Sequence, residues 1–542
     1  MPRITVESVG AIGVIKDLPP HELPDNAWSN ANNFRFQDIG AKKGLGYQSL
    51  GWNTPVSAPY YLVPVQTSSA FYWLYCGLNS IYAVQSAYSF DITRASGGYN
   101  ASALSRWTAT DFNGIPVLNN GIDTPQFWPF SPSQSNILED LPGFPTTDRP
   151  KVIRAYKNYL VALNINRSGT TYDRLVKWSD SADIGLVPAS WAIDDPTLDG
   201  GESTLPEDGG AIVDALPLRD SLMIYRDNSV YRMQFTQGND IFRFDRGPSS
   251  IGLLAVGCVT DFFGKHLLIT KEDIVLFDGQ NAQSIVDSRN RRQFFSELSS
   301  DYYDQSYIVH NKNDKEVWLC YPQSGDTYPT KAMVWSYAEG SWAFRTFPAL
   351  PHMAYGIIDQ NAQDSWEPSK GNWQSQVSTW AAASGTWSTA DIAWSADDRP
   401  WNGRTYDVTK AGILGADATN MLLYQMDLTN QANGAAQVSF LERAGINLGK
   451  NRADMIQRKT VRSIYPHITG DSGAILKVKV GGRDSIGQSV SYATEQSFTI
   501  GSQYKCDFTV DGRLIDIRFS SAANNNWTLH SYQIDVDMTG DA

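Results

Sequence analysis

Cysteine and histidine are scarce in this chain of 542 residues. Its four cysteines, Cys76, Cys258, Cys320 and Cys506, lie far apart, each in an apolar or strand-like stretch. We therefore expect buried reduced thiols, with a disulfide framework or a zinc site as the alternative. The six histidines show no metal-ligand spacing to one another or to a cysteine. The sequence predicts neither a metal nor a cofactor.

Long apolar runs are missing too. No stretch approaches the roughly 20 apolar residues that span a bilayer, and residues 1–7 contain no apolar signal region. We therefore expect no membrane-spanning segment, and a soluble protein that is not exported by the ordinary signal route.

The chain also lacks an excess of positive charge. Its formal net charge of −13 argues against general affinity for phosphate backbones, because non-specific nucleic-acid binding depends on Lys and Arg displacing counterions. An acidic or neutral wall would nevertheless suit a channel through which DNA slides without sticking. Plain solubility explains the same charge equally well.

Short aromatic-rich strands are abundant, and one hairpin pattern recurs. Residues 221–233 and 266–278 each predict a strand, a charged turn and a second strand, and residues 79–82 repeat the centre of the pattern. The first two copies start about 45 residues apart, a period typical of one blade of a β-propeller. The predicted class is therefore all-β, with a β-propeller of about five to seven blades.

The sequence divides into three regions. Residues 1–50 contain prolines that block regular helix and predict an extended N-terminal arm. Residues 51–430 predict the β-propeller with surface insertions. Residues 431–542 alternate apolar and polar positions, as at 476–480, and predict a C-terminal antiparallel β-sandwich-like platform domain. A change of phase in the last strand predicts a bulge near His530-Ser531.

Three features interrupt the predicted blades. A short helix is predicted at 291–298. Two polar, glycine-containing stretches at 194–210 and 371–400 predict surface insertions, and the second also contains several tryptophans.

No constellation of catalytic residues stands out. The acidic pairs at 194–195 and 397–398 suit turns and caps better than glycosidase carboxylates, whose spatial separation a sequence does not give. Phosphate loops, dinucleotide fingerprints and nucleophile elbows are not found in the sequence. The dense basic run at 289–292 predicts either a contact with an anion or partner, or solvated charge between blades. We predict that the chain is not an enzyme.

Several passages resemble the tail nozzle or tail hub proteins of short-tailed bacteriophages, also called packaged-DNA stabilisation proteins. The N-terminal passages are DLPPHELPDNAW at 17–28, NNFRF at 32–36, KKGLGY at 42–47 and the segment 107–125. The C-terminal passages are FLERAG at 440–445, GRLIDIRF at 512–519 and WTL at 527–529. Together they cover the N-terminal quarter and the C-terminal fifth of the chain, and their order matches that of the family.

This resemblance implies a structural subunit of a homohexameric ring in the tail of the virion. The ring would attach below the portal and the adaptor, or head-to-tail connector, protein, and would meet a tail fibre, needle or spike protein. Genomic DNA would be retained after packaging and would pass through the lumen at ejection without sequence-specific binding. Before assembly, the subunit would be soluble in the host cytoplasm.

The arm and the basic run are the candidate assembly interface. Its predicted residues are Trp28, Asn33, Phe34, Arg35, Arg289, Arg291 and Arg292. We expect the arm to lie across the adaptor or a neighbouring subunit. Deleting the residues before Tyr47 is then expected to leave a folded propeller that assembles poorly.

Two other functions fit the same pattern. One is a propeller that binds or degrades glycans in host recognition, suggested by the tryptophans between 371 and 401. The other is a scaffold of the baseplate or tail tip of another tail type. A glycan array with a hydrolysis assay separates the first from a nozzle, and the position in a particle image separates the second.

Overall fold

Strand makes up 53% of the chain and helix 3%, which confirms the predicted all-β class. The computed structural model describes residues 3–37, 40–51, 54–66, 71–85, 88–129, 136–207, 210–236, 240–249, 251–286, 289–358, 411–448 and 457–539. In that part of the chain, one α-helix, α1 (Arg291–Glu297), forms where the sequence predicts it. Short 3-10 turns lie at Pro20–Glu22 and Tyr303–Gln305. The predicted insertion at 371–400 lies outside the described residues.

The N-terminal arm is divided into seven short strands. They are β1 (Arg3–Val6), β2 (Gly13–Val14), β3 (Ala27–Trp28), β4 (Asn30–Asn32), β5 (Phe34–Gln37), β6 (Gly40–Lys43) and β7 (Tyr47–Ser49).

Seven small antiparallel sheets follow between residues 61 and 426, each made of strands that succeed one another in the chain. The first sheet contains β8 (Tyr61–Gln66), β9 (Phe71–Cys76), β10 (Ile81–Gln85) and β11 (Tyr88–Asp91), and the second contains β12 (Thr108–Phe112), β13 (Ile115–Asn119), β14 (Gln126–Phe127) and β15 (Glu139–Asp140). The third contains β16 (Asp148–Tyr156), β17 (Tyr159–Arg167), β18 (Thr170–Trp178) and β19 (Gly201–Thr204), the fourth contains β20 (Ile212–Leu218), β21 (Ser221–Arg226), β22 (Ser229–Phe235) and β23 (Phe242–Ser249), and the fifth contains β24 (Val259–Phe262), β25 (Lys265–Ile269), β26 (Ile274–Phe277) and β27 (Ala282–Ser284). The sixth contains β28 (Tyr307–Asn311), β29 (Glu316–Tyr321), β30 (Lys331–Ser336) and β31 (Ser341–Thr346), and the seventh contains β32 (His352–Ile357), β33 (Ala411–Asp417) and β34 (Leu422–Met426).

Neighbouring sheets pack against each other in chain order, and the seventh sheet returns to the first. The first strands of the second to seventh sheets contact one another in succession, and β32 contacts β8. Buried apolar side chains fill the spaces between sheets, so that Leu62 and Trp73 of the first sheet pack with Leu414 and Leu423 of the seventh. The seven sheets are therefore one continuous packed body.

The recurring hairpin forms the two middle strands of three sheets, as the sequence predicts. Tyr225 pairs with Val230 in the fourth sheet, and Ile269 pairs with Ile274 in the fifth. The corresponding hairpin of the first sheet is formed by β9 and β10. All residues of β21 are buried because a neighbouring sheet covers each of its faces.

The C-terminal region adds two facing sheets, here called the C-terminal sheet pair. Its strands, with two short ones that extend the seventh sheet, are β35 (Gln431–Ala432), β36 (Ala435–Ala436), β37 (Ser439–Ile446), β38 (Arg458–Gly470), β39 (Ile475–Arg483), β40 (Ser491–Tyr492), β41 (Gln496–Thr499), β42 (Cys506–Gly512), β43 (Leu514–Ser521) and β44 (Trp527–Thr539). One sheet has the order β42-β38-β44-β6-β5, and the other β4-β37-β43-β39-β40. The predicted bulge is confirmed, because His467 pairs with Ser531 and Ile468 with Leu529, which leaves His530 unmatched.

The arm completes sheets of its own chain. Strands β1, β5 and β6 extend one sheet of the C-terminal sheet pair and β4 extends the other. Strands β2 and β3 continue the sixth sheet beyond β31, and β7 pairs with β34 as the fourth strand of the seventh sheet. The arm therefore ties the body to the C-terminal sheet pair within its own chain, and its contact with an adaptor or a neighbouring subunit stays a prediction.

Polar side chains link the first strands where these converge. Arg154 on β16 donates from Nε and Nη2 to the two carboxylate oxygens of Asp214 on β20, both at 2.9 Å. Its Nη1 reaches the carbonyl of Ala109 on β12 at 2.7 Å, and Asp214 accepts from the Gly257 amide at 3.1 Å. One ion pair therefore connects four successive sheets.

Aromatic rings and a second arginine complete this central cluster. The Tyr61 ring of β8 lies 4.0 Å from the His352 ring of β32, and Tyr307 of β28 lies 5.3 Å from His352. Arg106, just before β12, donates to carbonyls before β24 and β28, those of Val256 at 3.1 Å and Gln305 at 3.0 Å. The central cluster is therefore packed with side-chain or backbone groups from or beside every first strand.

The four cysteines are free and buried, as the sequence predicts. Burial raises the pKa of Cys258 to about 12 and that of Cys506 to about 11, which keeps both thiols protonated and unreactive. No helix among the described residues is both long and apolar enough to cross a membrane.

Deleting residues 1–49 should abolish cooperative folding, because the deletion removes strands from the sixth and seventh sheets and from both sheets of the C-terminal sheet pair. Thermal melting followed by circular dichroism, together with dye binding to exposed apolar surface, would measure this. A truncated chain that melts as sharply as the full chain would contradict the role given to the arm.

Candidate functional site

The predicted interface residues separate into two groups. Trp28, Asn33 and Phe34 are buried within the chain, and the side chain of Arg35 is only 12% exposed. Arg289, Arg291 and Arg292 are exposed. As an assembly interface, the set remains a prediction, but only the second group offers a surface to a partner.

Trp28 and Phe34 are core residues of the C-terminal sheet pair. The Trp28 ring packs 6.4 Å from Phe519 on one sheet and 6.2 Å from Tyr532 on the other, and its Nε1 donates to the Val9 carbonyl. Phe34 meets Trp527 edge to face at 4.9 Å. Both residues therefore fix the arm by apolar burial.

Asn33 joins the arm to two other parts of the chain. Its backbone has a φ of 58°, in the left-handed region that Asn tolerates better than most residues. Its Nδ2 donates to the Val438 carbonyl at 2.8 Å, and its Oδ1 accepts from the Thr346 amide at 3.1 Å. Asn33 therefore links β31 to the start of the C-terminal sheet pair.

Arg35 belongs to a buried charge cluster, defined as Arg35, Asp314, Glu316, Arg345 and Asp427, in which Asp314 forms the edge with a side chain that is 40% exposed. Its Nε lies 2.7 Å from Glu316, and its Nη2 contacts Asp314 at 2.8 Å and also Asp427. Arg345 contacts Asp427 at 2.9 Å from the other side. Two arginines thus bridge three carboxylates where the arm, the sixth sheet and the seventh sheet meet.

Burial opposes the charges of Arg35, Asp314 and Asp427, and opposite charges overcome it at Arg35 and Asp427. Burial would lower the pKa of Arg35, but Asp427 and Glu316 raise that pKa above its ordinary value. Burial would raise the pKa of Asp427, but Arg345 and Arg35 hold it below 3.8. At the partly exposed Asp314, desolvation still outweighs the charge of Arg35, and the pKa is raised. The pairing of Arg35 with Asp427 is therefore the centre of the cluster.

Lys43, Gly46 and Tyr47 of the KKGLGY passage each lie in close contact with a later part of the chain. Lys43 is fully buried, and its Nζ donates to the carbonyls of Ala523 at 2.8 Å and Asn525 at 2.9 Å; burial lowers its pKa to about 8. A Cβ at Gly46 would lie 2.0 Å from the Gln431 carbonyl oxygen, so no other residue fits there without movement. Tyr47 then meets Tyr424 of β34 at 5.1 Å.

The basic run at 289–292 is the place where the arm meets helix α1. The Asp17 carboxylate accepts from the amides of Arg292 at 2.7 Å and Gln293 at 2.9 Å, and so caps the helix from a distant part of the chain. Asn290 donates to the Val14 carbonyl at 2.8 Å. Backbone amides and the Asn290 side chain therefore hold the arm, while the three guanidinium groups of the run remain at the surface.

Arg443 is an important contact that the sequence analysis did not single out. It is 2% exposed, and it donates to the carbonyls of Pro20 at 2.7 Å and Leu23 at 2.9 Å. The signal was present, since Ser439, Leu441 and Arg443 occupy the same phase of an alternating strand, which predicts a buried arginine.

These arrangements provide mechanical connection between the arm and the rest of the described chain. Within the described ranges, no group of three or more His, Cys, Asp or Glu side chains is placed to hold a metal ion. Two cavities of about 10 Å³, room for about one water molecule each, lie beside the buried charge cluster and beside the central cluster.

Comparisons with known proteins identify no family. No family model matches the chain, and no curated protein matches it. Among solved structures, PorZ, an essential surface component of the type-IX secretion system of Porphyromonas gingivalis, matches 57% of this chain with 9% identity and a TM-score of 0.34. A protein of unknown function from Desulfotomaculum acetoxidans matches 52% with 12% identity and a TM-score of 0.30. The matches cover 35% and 88% of those chains, respectively, and at such scores neither carries an argument.

Replacing Arg35 with Met should cost about 3–5 kcal/mol of unfolding free energy, because it leaves three carboxylates with a single arginine. Denaturant unfolding measures the change. The matched control is Arg462→Met, which removes an exposed arginine paired with Asp537 and should leave stability nearly unchanged. Equal losses in the two variants would show that the buried charge cluster is not special.

The Asp427→Asn variant tests the same cluster through pH, and Asn tolerates the φ of 61° at this position. Because the folded pKa of Asp427 lies below 3.8, the carboxylate stabilises the fold fully above that value and loses this effect as the pH falls through the lower folded value. The stability gap between wild type and variant should therefore be largest near neutral pH and shrink below about pH 4. A gap that stays constant over this range would contradict the assignment.

Proposed function

We propose that this chain is a structural subunit of the tail nozzle or hub ring of a short-tailed bacteriophage, and that it is not an enzyme. In this role it sits below the portal and adaptor, retains packaged DNA and forms the ejection channel with five further copies. The sequence resemblance is the origin of the proposal, and the structure adds one observation that supports it.

That observation is the meeting of passages from the two ends of the chain. The arm passage 17–28 provides carbonyls to Arg443 of FLERAG, and NNFRF places Phe34 against Trp527 of WTL. Separate passages that resemble the same family, and that lie far apart in the sequence, are thus neighbours in space. Such a junction would hold a subunit rigid while DNA under pressure presses on it.

The seven sheets are best explained as the blades of a seven-bladed β-propeller. Each has four antiparallel strands, the first strands contact in succession, and the seventh sheet packs against the first. In this proposal β7 closes the ring of blades, because the fourth strand of the last blade comes from the N-terminal arm. The C-terminal sheet pair would be the sandwich-like platform that the sequence predicts.

In this proposal the filled central cluster excludes DNA from the axis of the seven sheets. Asp214 and Tyr307 are almost completely buried, and the Arg154 side chain is 13% exposed, so side chains fill the place where the first strands converge. The duplex would therefore run between subunits, in the lumen of the ring, and not along the axis of any one propeller. The net charge of −13 would limit adhesion of DNA to such a lumen.

Exposed apolar side chains would supply contacts between subunits. Phe263 and Tyr504 each expose 72% of their surface, and Ile184 exposes 83%. In this proposal a neighbouring copy would cover their apolar surface. Arg289, Arg291 and Arg292 would add charged contacts to the adaptor.

One sequence feature favours glycan binding as a second candidate. Tryptophans recur at every seventh position at Trp366, Trp373, Trp380, Trp387, Trp394 and Trp401. These residues lie outside the described part of the chain. The flat apolar faces of tryptophan pack well against the C–H groups of sugar rings. A glycan array with the wild type and with a variant carrying alanine at all six positions would test this candidate. The candidate function fails if neither protein binds a glycan.

Reversing Arg291 and Arg292 to Glu should weaken binding to the adaptor by at least about tenfold while the chain stays folded, because both side chains are exposed. Titration of the adaptor followed by native mass spectrometry measures affinity and ring size. The matched control reverses Lys151 and Arg219, which are also exposed but lie on the third and fourth sheets. Loss of binding in both variants, or in neither, would remove the basic run from the interface.

A further inference from the structure

A loop of the third sheet presents apolar side chains to solvent from an anchored base. It joins β18 to β19 and comprises residues 179–200. Ile184 and Leu186 of this loop are 83% and 61% exposed. Trp191 of the same loop is 1% exposed, and its ring packs edge to face 4.9 Å from Phe144. The loop is therefore fixed to the core while part of its apolar surface stays uncovered.

The charge of residues 179–200, here called the acidic loop, has one sign. The loop contains five aspartates and neither lysine nor arginine. Three of the aspartates are exposed: Asp183, Asp194 and Asp195. Lys157 lies near the base of the loop, but its Nζ packs 5.2 Å from the centre of the Phe235 ring. Because like charges repel, two acidic loops would not pair with each other, and a partner surface should be basic.

Phe263 is an aromatic residue at a turn position where three other sheets use polar residues. It follows β24 in a two-residue turn and has a φ of 49°. The equivalent turns of the second, third and fourth sheets place Asn113, Lys157 and Arg219 at φ values of 53° to 54°. A positive φ is unfavourable for a bulky residue, so the turn itself does not call for an aromatic ring. Phe263 nevertheless stays 72% exposed.

The surroundings of Phe263 are aromatic and carry lysines. Four residues whose rings meet are here called the aromatic ledge: Phe262, Phe263, His310 and Tyr337. Three exposed lysines lie in the two turns that border it: Lys265, Lys312 and Lys315. Of the two exposed aspartates there, Asp261 and Asp314, the second is paired with Arg35. The aromatic ledge therefore combines an exposed apolar surface with a positive border.

We propose that the acidic loop of one copy of this chain docks on the aromatic ledge of a second copy, with Ile184 and Leu186 covering Phe263. The aspartates of the loop then face the lysines that border the ledge. Each half is apolar at its centre, the charges around the two halves are opposite, and every copy carries both halves. The contact deepens the proposed function by naming two surfaces, and it rests on that function only in that the chain must associate with itself.

Two variants of the full chain test the contact from its two sides. Phe263→Asn removes the ring and installs the residue that the second sheet has at the equivalent position, so the fold should be kept. Ile184→Asp combined with Leu186→Asp removes the exposed apolar surface of the acidic loop. Each variant alone should self-associate at least about tenfold more weakly than the wild type. Mixed together, the two should form one-to-one pairs, because one retains the loop and the other retains the ledge.

Sedimentation velocity and native mass spectrometry over a range of concentrations measure this self-association. Variants that associate as strongly as the wild type would overturn the contact and leave the proposed ring standing. A mixture that forms no pairs, or a wild type that stays monomeric, would also overturn it. The proposed function is judged separately, by the position of the chain in the particle.

Crosslinking through cysteine tests which residues meet, because the four native cysteines are buried. Phe263→Cys in one chain and Leu186→Cys in another should yield a disulfide-linked pair when mixed with diamide, which takes up the two thiol hydrogens. The matched control is Ile486→Cys in place of Leu186→Cys, since Ile486 is also 61% exposed but lies in the C-terminal sheet pair. Equal linking to the control, or linking of either single variant to itself, would contradict the docking of unlike surfaces.

Discussion

Strand pairing between the first 49 residues and the rest of the chain is the constraint on which this structure depends. An unpaired strand at a sheet edge leaves a row of backbone donors and acceptors without partners. Strand β7 pairs with β34, and strand β6 pairs with β44, so these edges gain hydrogen-bond partners. Because these partners lie hundreds of residues apart, most of the chain must be present before its sheets can close, which predicts slow folding.

Side chains then fix the place at which each arm strand sits. Strand pairing alone tolerates slippage, whereas charged groups buried in fixed positions do not. Arg35 meets its carboxylate partners in only one register of the arm. Lys43 donates to its carbonyl partners in that same register. Buried charges often give little net stability, and their value here is in selecting one register for the arm.

Local patterns made much of the fold predictable. Alternation and turn signals located the hairpin of β21 and β22, the helix α1 and the bulge at His530, since each is decided by neighbours in sequence. The strands with which the arm pairs were not predictable in this way. Prolines indicate that a segment is extended, but they do not indicate its pairing partner. The sequence therefore predicts Trp28 and Phe34 as assembly contacts, whereas tertiary packing buries both.

If the proposed role is correct, rigidity within the subunit and passage of DNA between subunits are two consequences of the same design. The arm and the buried charge cluster make one stiff body, and the filled central cluster leaves the duplex no route through it. Electron cryo-microscopy of the intact particle tests this most directly. The account predicts six copies of the chain in a ring below the adaptor, with DNA density in the lumen between them. A particle whose tail lacks this chain, or DNA density along the axis of the seven sheets, would contradict it.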